Sequence, residues 1–592
     1  MSDIRGVADM RAVVYLHRIL YTRRSSVPSI AAALIVSIAS IVSVVTAKES
    51  NEPLTVTTFD QMPKIVQLPD GRLMALFQSL TGEMQDVTAR YSKDAGHSWS
   101  APETLLKLPQ EAGGWGYFIA FVDREGEVHI FFLNDASTGT IRSEVPESVR
   151  HSEAYQSRLD IWHVKSTNGR KGWQTPKMIW KGRAGDLQSV IQLSTGRIIL
   201  PISYMTSRSW SNRGEGFYAF TYTGKFETSV LYSDDAGDTW QSSSSVLKVP
   251  TPDITTILGA VEPVVLELKD GRVWMLIRTQ MGRFHESFSA DGAEWSRPQP
   301  MDLLSSDSPA GLIRLKDGRI LLIWNNCLRF PYAYGGRQVL HAAVSEDEGR
   351  TWHGYREVAR DPYREQPPTP NGDHGVSYPF PVLTLDGKVI FSMWVETGTR
   401  RSVVAFDPKW LDETKQSEDF SSGLGKWSTF GTRGVELVPH PQKTGARLFS
   451  LTKPEAEWPA GAVWNFPYGR MGRLRLRLLL RPGFKSLNIG LTDHFSTPFD
   501  EEDRFHNLFN VSIDEGRLAK TVLLKASKWY ELELRWNTAR RECRLVVDGH
   551  QVAVVPQNRA GEGAGYLRLR SMASSKDQAG MLIERTDAWT AW

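Results

Sequence analysis

The chain has 592 residues, a formal net charge of +3, ordinary hydrophobic content, 20 Trp and two cysteines. That length exceeds one hydrophobic core, so two or more domains are expected. The near-neutral charge excludes a nucleic-acid or polybasic membrane role, and Cys327 and Cys543, far apart, exclude a disulfide framework or a cysteine metal site.

In chain order, the first feature is Arg23-Arg24 ahead of an apolar stretch from about Ile30 to Val45, ending Val45-Thr46-Ala47 before Lys48. Residues 1–47 read as a signal peptide cleaved after a small residue, or as an uncleaved signal anchor, since the apolar stretch approaches a membrane-spanning length. Either route exports the rest of the chain to the periplasm, the cell surface or the medium, with a membrane tether only if the segment is kept.

From about Leu54 to Phe406 two turn markers interleave with apolar runs. One is Asp-Gly-Arg or a close relative, at Asp70, Thr195, Asp270, Asp317 and Asp386. Asp-Gly between apolar runs such as Leu73-Met-Ala-Leu-Phe77 is a hairpin signal. The other marker is a longer phrase, Ser92-Lys-Asp94-Ala-Gly96-His-Ser98-Trp99. It returns at Ser233–Trp240, Ser289–Trp295 and Ser345–Trp352, with a degenerate copy at Ser166–Trp173. Its Asp accepts hydrogen bonds inside its own turn, its Gly takes positive φ, and its Trp covers the hairpin end. The phrase is a structural turn. Its recurrence marks an array of similar units, and the strand-rich text between copies implies radially arranged four-stranded sheets, a β-propeller. Units of about 55 to 60 residues over 54–406 fit six blades best.

Four phrases inside this array could carry chemistry. Gly82-Glu83-Met-Gln-Asp86 offers two carboxylates in a loop. Glu262 begins a strand and Arg278 ends its hairpin partner across Asp270-Gly271, which brings both to one end of a blade; a plain salt bridge is the structural alternative. Arg337 follows Gly335-Gly336 at a strand start. Gly372-Asp373-His374-Gly375-Val-Ser377-Tyr378 sets a Tyr and a His in a Gly- and Pro-rich loop.

A polar segment at 407–419 reads as a linker. Residues 420–592 form a second β-rich region, with strict alternation in Leu474-Arg-Leu-Arg-Leu478 and Leu532-Glu-Leu-Arg-Trp536 and a turn at Asp548-Gly549. That pattern predicts a two-sheet β-sandwich of jelly-roll type. Trp529–Trp536 with Cys543–Gly549 resembles the laminin-G and concanavalin-like sandwiches, which either brace a catalytic domain or bind glycan. The whole chain is therefore all-β: a six-bladed propeller followed by a sandwich.

The Asp phrases, the Glu–Arg hairpin, the Arg ahead of an Asp phrase and the late Tyr, in this order, resemble the sialidase (neuraminidase) superfamily of six-bladed propellers over residues 54–406. The resemblance implies an exported retaining glycoside hydrolase, exo-α-sialidase-like, acting on glycans with no cofactor and no metal. It implies Tyr378 as nucleophile with Glu262 as its base, Asp86 as acid with Glu83 as second choice, and Arg278 and Arg337 in a cluster that holds a substrate carboxylate; Gln61 and His374 are further substrate-binding candidates. One departure stands out. The superfamily's first arginine opens an Arg-Ile-Pro phrase, and here Gln61-Met62-Pro63 stands in that place; strand alternation would point the nearby Lys64 elsewhere. Gln61 thus favours a different, acidic or deoxy, sugar. A glycan-binding propeller without catalysis is the reading from another class, and the Tyr378–Glu262 pair argues against it.

Overall fold

The computed structural model describes residues 51–79, 86–107, 118–135, 158–206, 210–212, 220–222, 225–251, 258–327, 336–366, 375–395, 401–431 and 433–592. The N-terminal segment 1–47, Glu83 and His374 lie outside the described residues. Among those described, the regular structure is strand, with short 3-10 turns at Pro408–Asp412 and Glu502–His506.

Six antiparallel sheets form the blades within residues 54–406, five of four strands and one with a short fifth strand, Gly172–Trp173, and the hairpin markers seen in the sequence explain their order. Blade one runs Lys64–Gln67, Leu73–Ser79, Asp86–Ser92, Glu103–Lys107; blade four runs Val261–Glu267, Val273–Arg278, Arg283–Ser289, Gln299–Leu304. Blades two, three and five begin with Phe118–Val122, Ile191–Gln192 and Gly311–Arg314. Blade six comprises Val376–Leu383, Val389–Val395 and Arg401–Phe406, and takes its fourth strand from the beginning of the chain: Leu54–Phe59 pairs antiparallel with Arg401–Phe406. This closes the ring and leaves no unpaired first or last blade. The opening strands of blades four, five, six, one and two lie each against the next around the axis.

The recurring Asp phrase does the structural work expected of it. In the first copy Asp94 Oδ1 accepts the Ser98 N–H at 2.9 Å, and the Trp99 indole N–H returns to the Gly96 carbonyl at 2.9 Å. The copies at Asp235 and Asp347 repeat both bonds. Gly96, at φ +90°, is obligatory, because a Cβ there would come within 2.5 Å of Ile390 in blade six. The degenerate copy lacks the Asp and borrows a carboxylate from the previous hairpin. Glu127 accepts from the Gly169 N–H at 2.7 Å and the Arg170 N–H at 3.2 Å.

Residues 420–592, joined by the strand Lys415–Glu418, build an eight-stranded and a seven-stranded sheet. One apolar cluster joins the two, with Leu474, Leu476 and Leu478 of Met471–Leu480 and Leu532, Leu534 and Trp536 of Trp529–Asn537 facing Ile489, Val511 and Leu567. The alternate residues Arg475 and Glu533 pair on the outer face at 2.7 Å, which is the period-two pattern read in the sequence. The intervening segment has no slack. Trp410 and Leu411 of the 3-10 turn are buried against blades five and six, and Lys415–Glu418 pairs with the C-terminal strand Asp577–Ala591.

Candidate active site

The axial residues come from the entry of the innermost strand of several blades. Glu262 is the second residue of Val261–Glu267, and Val261 stands opposite Arg278, so the hairpin delivers acid and arginine to one end of blade four. The register slips between Val261 and Val264, and Glu262 sits in that bulge at φ 45°. Blade six repeats the device: the register slips between Ser377 and Phe380, and Tyr378 lies in the bulge at φ 54°. A left-handed non-glycine residue in a bulge is costly and re-aims its side chain. Two such residues turn toward each other here.

The Tyr378 hydroxyl donates to Glu262 Oε1 at 3.1 Å. Arg278 Nη1 donates to the other Glu262 oxygen at 2.5 Å and to the Tyr378 oxygen at 3.2 Å. Arg278 Nε donates to Asp307 Oδ1 at 2.7 Å, and Gln280 holds Asp307 Oδ2 at 3.0 Å. Arg337 donates to the Asp307 carbonyl at 2.8 Å, and its guanidinium lies 5.4 Å from the Tyr378 ring centroid. Tyr378, Glu262, Arg278 and Arg337 thus converge.

Burial and the neighbouring Glu262 charge push the Tyr378 phenol well above its usual pKa, only partly relieved by Arg278 and Arg337. The phenol is therefore neutral at rest, and Glu262 is placed to take its proton as a bond forms.

A third acid joins the pair. Asp186 lies on the loop entering blade three. Burial, then the Glu262 charge, push it up to about 7, against the pull of Lys64, Arg278 and Arg183. Ser203 ties this loop to Glu262: its carbonyl accepts the Gly185 N–H at 2.8 Å and its Oγ accepts the Glu262 N–H at 3.2 Å. A Cβ on Gly185 would come within 2.5 Å of Ser203 Oγ, so the glycine lets the loop approach this strand closely.

Other expected residues are placed differently. Asp86 opens the third strand of blade one, opposite Ser79 and Lys107, and no described contact links it to Tyr378 or Glu262. Gln61 is exposed between Leu54–Phe59 and Lys64–Gln67. Lys64 departs from the alternation argument. It is 9% exposed, its ammonium lies 3.1 Å from the Phe380 ring centroid, and it shares a field with Asp186. Burial lowers its pKa well below the usual lysine range, and Asp186 partly restores it. Alternation fails because Gln61 to Pro63 is not strand, so the strand register starts only at Lys64. Asp186 and Asp307 carry no sequence motif, but each stands within a few residues of the start of an innermost strand, the position shared by Lys64, Glu262 and Tyr378.

Residues 71–390 match the family model described as a BNR repeat-like domain. A sialidase of Micromonospora viridifaciens is 23% identical over 327 residues, covering 49% of this chain and 45% of that protein, so the chain spans less than half of its relative's length. Among solved structures, a protein of unknown function from Dyadobacter fermentans aligns with a TM-score of 0.42 at 16% identity, over 60% of this chain and 98% of that one. Trypanosoma rangeli sialidase aligns with a TM-score of 0.38 at 14% identity, over 89% of this chain and 91% of its own. With the family model spanning just over half of its residues, the chain belongs to the BNR repeat-like domain family.

Proposed function

We propose that this protein is a retaining glycoside hydrolase, exo-α-sialidase-like in how it breaks the glycosidic bond, acting on glycans outside the cytoplasm after export through residues 1–47. The observation that carries the reading is the 3.1 Å hydrogen bond from Tyr378 to Glu262, between two residues held in left-handed bulges on different blades. A binding surface has no need of a nucleophile–base pair built at that conformational cost. The sialidase of Micromonospora viridifaciens among its relatives supports the same chemistry.

In the first step Asp186 protonates the leaving oxygen. Tyr378 Oη attacks the anomeric carbon, Glu262 takes the phenol proton, and Arg278 steadies the oxygen as it gains charge. In the second step ionised Asp186 deprotonates water, which attacks the same carbon; Tyr378 leaves and recovers its proton from Glu262. Two displacements give net retention. Asp186 takes the acid's role in this scheme ahead of Asp86, because its raised pKa suits proton donation near neutral pH.

A panel of fluorogenic aryl α-sialosides and neutral glycosides tests the scheme. At least one is cleaved, and proton NMR shows the retained anomer first; the inverted anomer as first product rejects a tyrosine intermediate. A carboxyl that must be protonated, with pKa about 7, makes kcat/KM fall as pH rises through 7. Asp186→Asn lowers kcat/KM about 10²- to 10⁴-fold on poor leaving groups and flattens that alkaline limb. An unchanged pH profile in the variant assigns the acid elsewhere.

A second reading, a sugar other than sialic acid, is favoured by Asp307. Arg278 already serves two protein carboxylates, Glu262 and Asp307.

A further inference from the structure

Among the described residues, Arg278 and Arg337 are the guanidinium groups in contact with Tyr378, and both are engaged by one residue. Asp307 gives a carboxylate oxygen to Arg278 Nε and its carbonyl to Arg337 Nη2. Its side chain is 30% exposed and that of Arg278 only 7%, so the carboxylate is the more solvent-exposed partner of the pair. Gln280 fixes the second carboxylate oxygen at 3.0 Å. Although burial pushes the Asp307 pKa up, Arg278, Gln280 and Arg337 together bring it below the usual range, so it is ionised at neutral pH.

An anion already occupies the Nε edge of Arg278, where a substrate carboxylate could otherwise pair with this guanidinium, and the same residue's carbonyl takes a donor of Arg337. A second carboxylate would need to displace Asp307 from Arg278 and then lie against it, and like charges brought together in a partly buried site oppose binding strongly.

Resting on the hydrolase reading above, we infer that Asp307 is a built-in counter-anion that selects glycosides carrying no carboxylate at the anomeric carbon, and that the substrate is a neutral sugar at this subsite.

The test compares two probes that differ only at that group, 2-deoxy-2,3-dehydro-N-acetylneuraminic acid and its C1 methyl ester, by calorimetry on the full chain. The wild-type protein binds the ester at least as tightly as the acid. Asp307→Asn, close in shape, gains ~10-fold or more in affinity for the acid and changes little for the ester, as removal of one like-charge contact implies. A wild-type protein that prefers the acid by tenfold overturns the proposal. So does a variant that gains no affinity for the acid, including one that binds neither probe. These outcomes read binding alone, so they stay distinct from loss of the hydrolase reading, which shows as absence of Tyr378-dependent turnover on every glycoside in the panel. Where turnover is found, neutral aryl glycosides exceed the α-sialoside in kcat/KM.

Discussion

Tyr378→Phe abolishes turnover, lowering kcat on the order of 10⁴-fold or more while the protein stays folded. The variant loses one oxygen and keeps the ring, so the packing of Arg337 over that ring survives. In the proposed scheme the oxygen removed is the nucleophile, and without it the covalent route is closed. Glu262→Gln falls by a comparable factor for a different reason. The amide still fills the bulge but can no longer take the phenol proton, and burial holds that phenol neutral. Because the two groups act as a unit, the double variant is little worse than either single one, whereas independent roles would multiply. Steady-state rates on the best substrate of the panel, with thermal unfolding as a control, decide the matter. Turnover that survives in Tyr378→Phe to within tenfold removes Tyr378 from the reacting atoms. Glycan binding unchanged in both variants, with no turnover in any protein, returns the propeller to a binding role.

The legible part of this molecule is what local chemistry dictates. Asp94, Gly96 and Trp99 close a turn with bonds among themselves, so the phrase announces its fold wherever it stands. The hairpin around Asp270-Gly271 is equally local, and it brings Glu262 and Arg278 to one end of a blade. Tyr378 was legible through its order along the chain, yet its place within a bulged strand depends on blade six being closed by Leu54–Phe59, some 320 residues earlier in the sequence. Asp186 was not legible, because its character comes from other blades: the charge that raises its pKa is Glu262, and the loop that carries it is tied down through Ser203. Asp307 has no motif of its own and acquires meaning only from Arg278 and Arg337. Lys64 was misplaced for a local reason, since residues 61–63 are not strand and alternation does not run through them. For Asp186 and Asp307 the missing information is a contact made far along the chain.

The same holds where the propeller meets the sandwich, and there the largest loss of stability is expected. Asn326 donates its N–H to His341 Nδ1 at 3.1 Å, leaving the ring proton on Nε2 for the Tyr566 oxygen, which in turn donates to Glu357 Oε1 at 2.7 Å. Arg360 Nε donates to Glu357 Oε2 at 2.5 Å. Burial depresses His341 to about 4, so it is neutral at pH 7, as a ring that both accepts and donates requires. Glu357 thus terminates a hydrogen-bond relay running from blade five into the seven-stranded sheet and back. Glu357→Ala leaves Arg360 and the Tyr566 hydroxyl without their acceptor in a buried seam, which costs about 3–5 kcal/mol. Although burial opposes ionisation, Arg360, His341 and Tyr566 hold the Glu357 pKa below its usual value. Its contribution is therefore present above the unfolded-state pKa of about 4.3 and is lost as pH falls through the lower folded-state value. Guanidinium denaturation at pH 7 checks the cost, with exposed Glu531→Ala as a control expected within about 0.5 kcal/mol, since its ion pair with Arg475 is a loose 3.9 Å surface contact. If propeller and sandwich unfold as one unit through this seam, Glu357→Ala splits a single transition into two. A loss no larger than that of Glu531→Ala means that the apolar patch of Cys327, Val339, Val463 and Phe495 holds the seam alone, with the relay idle.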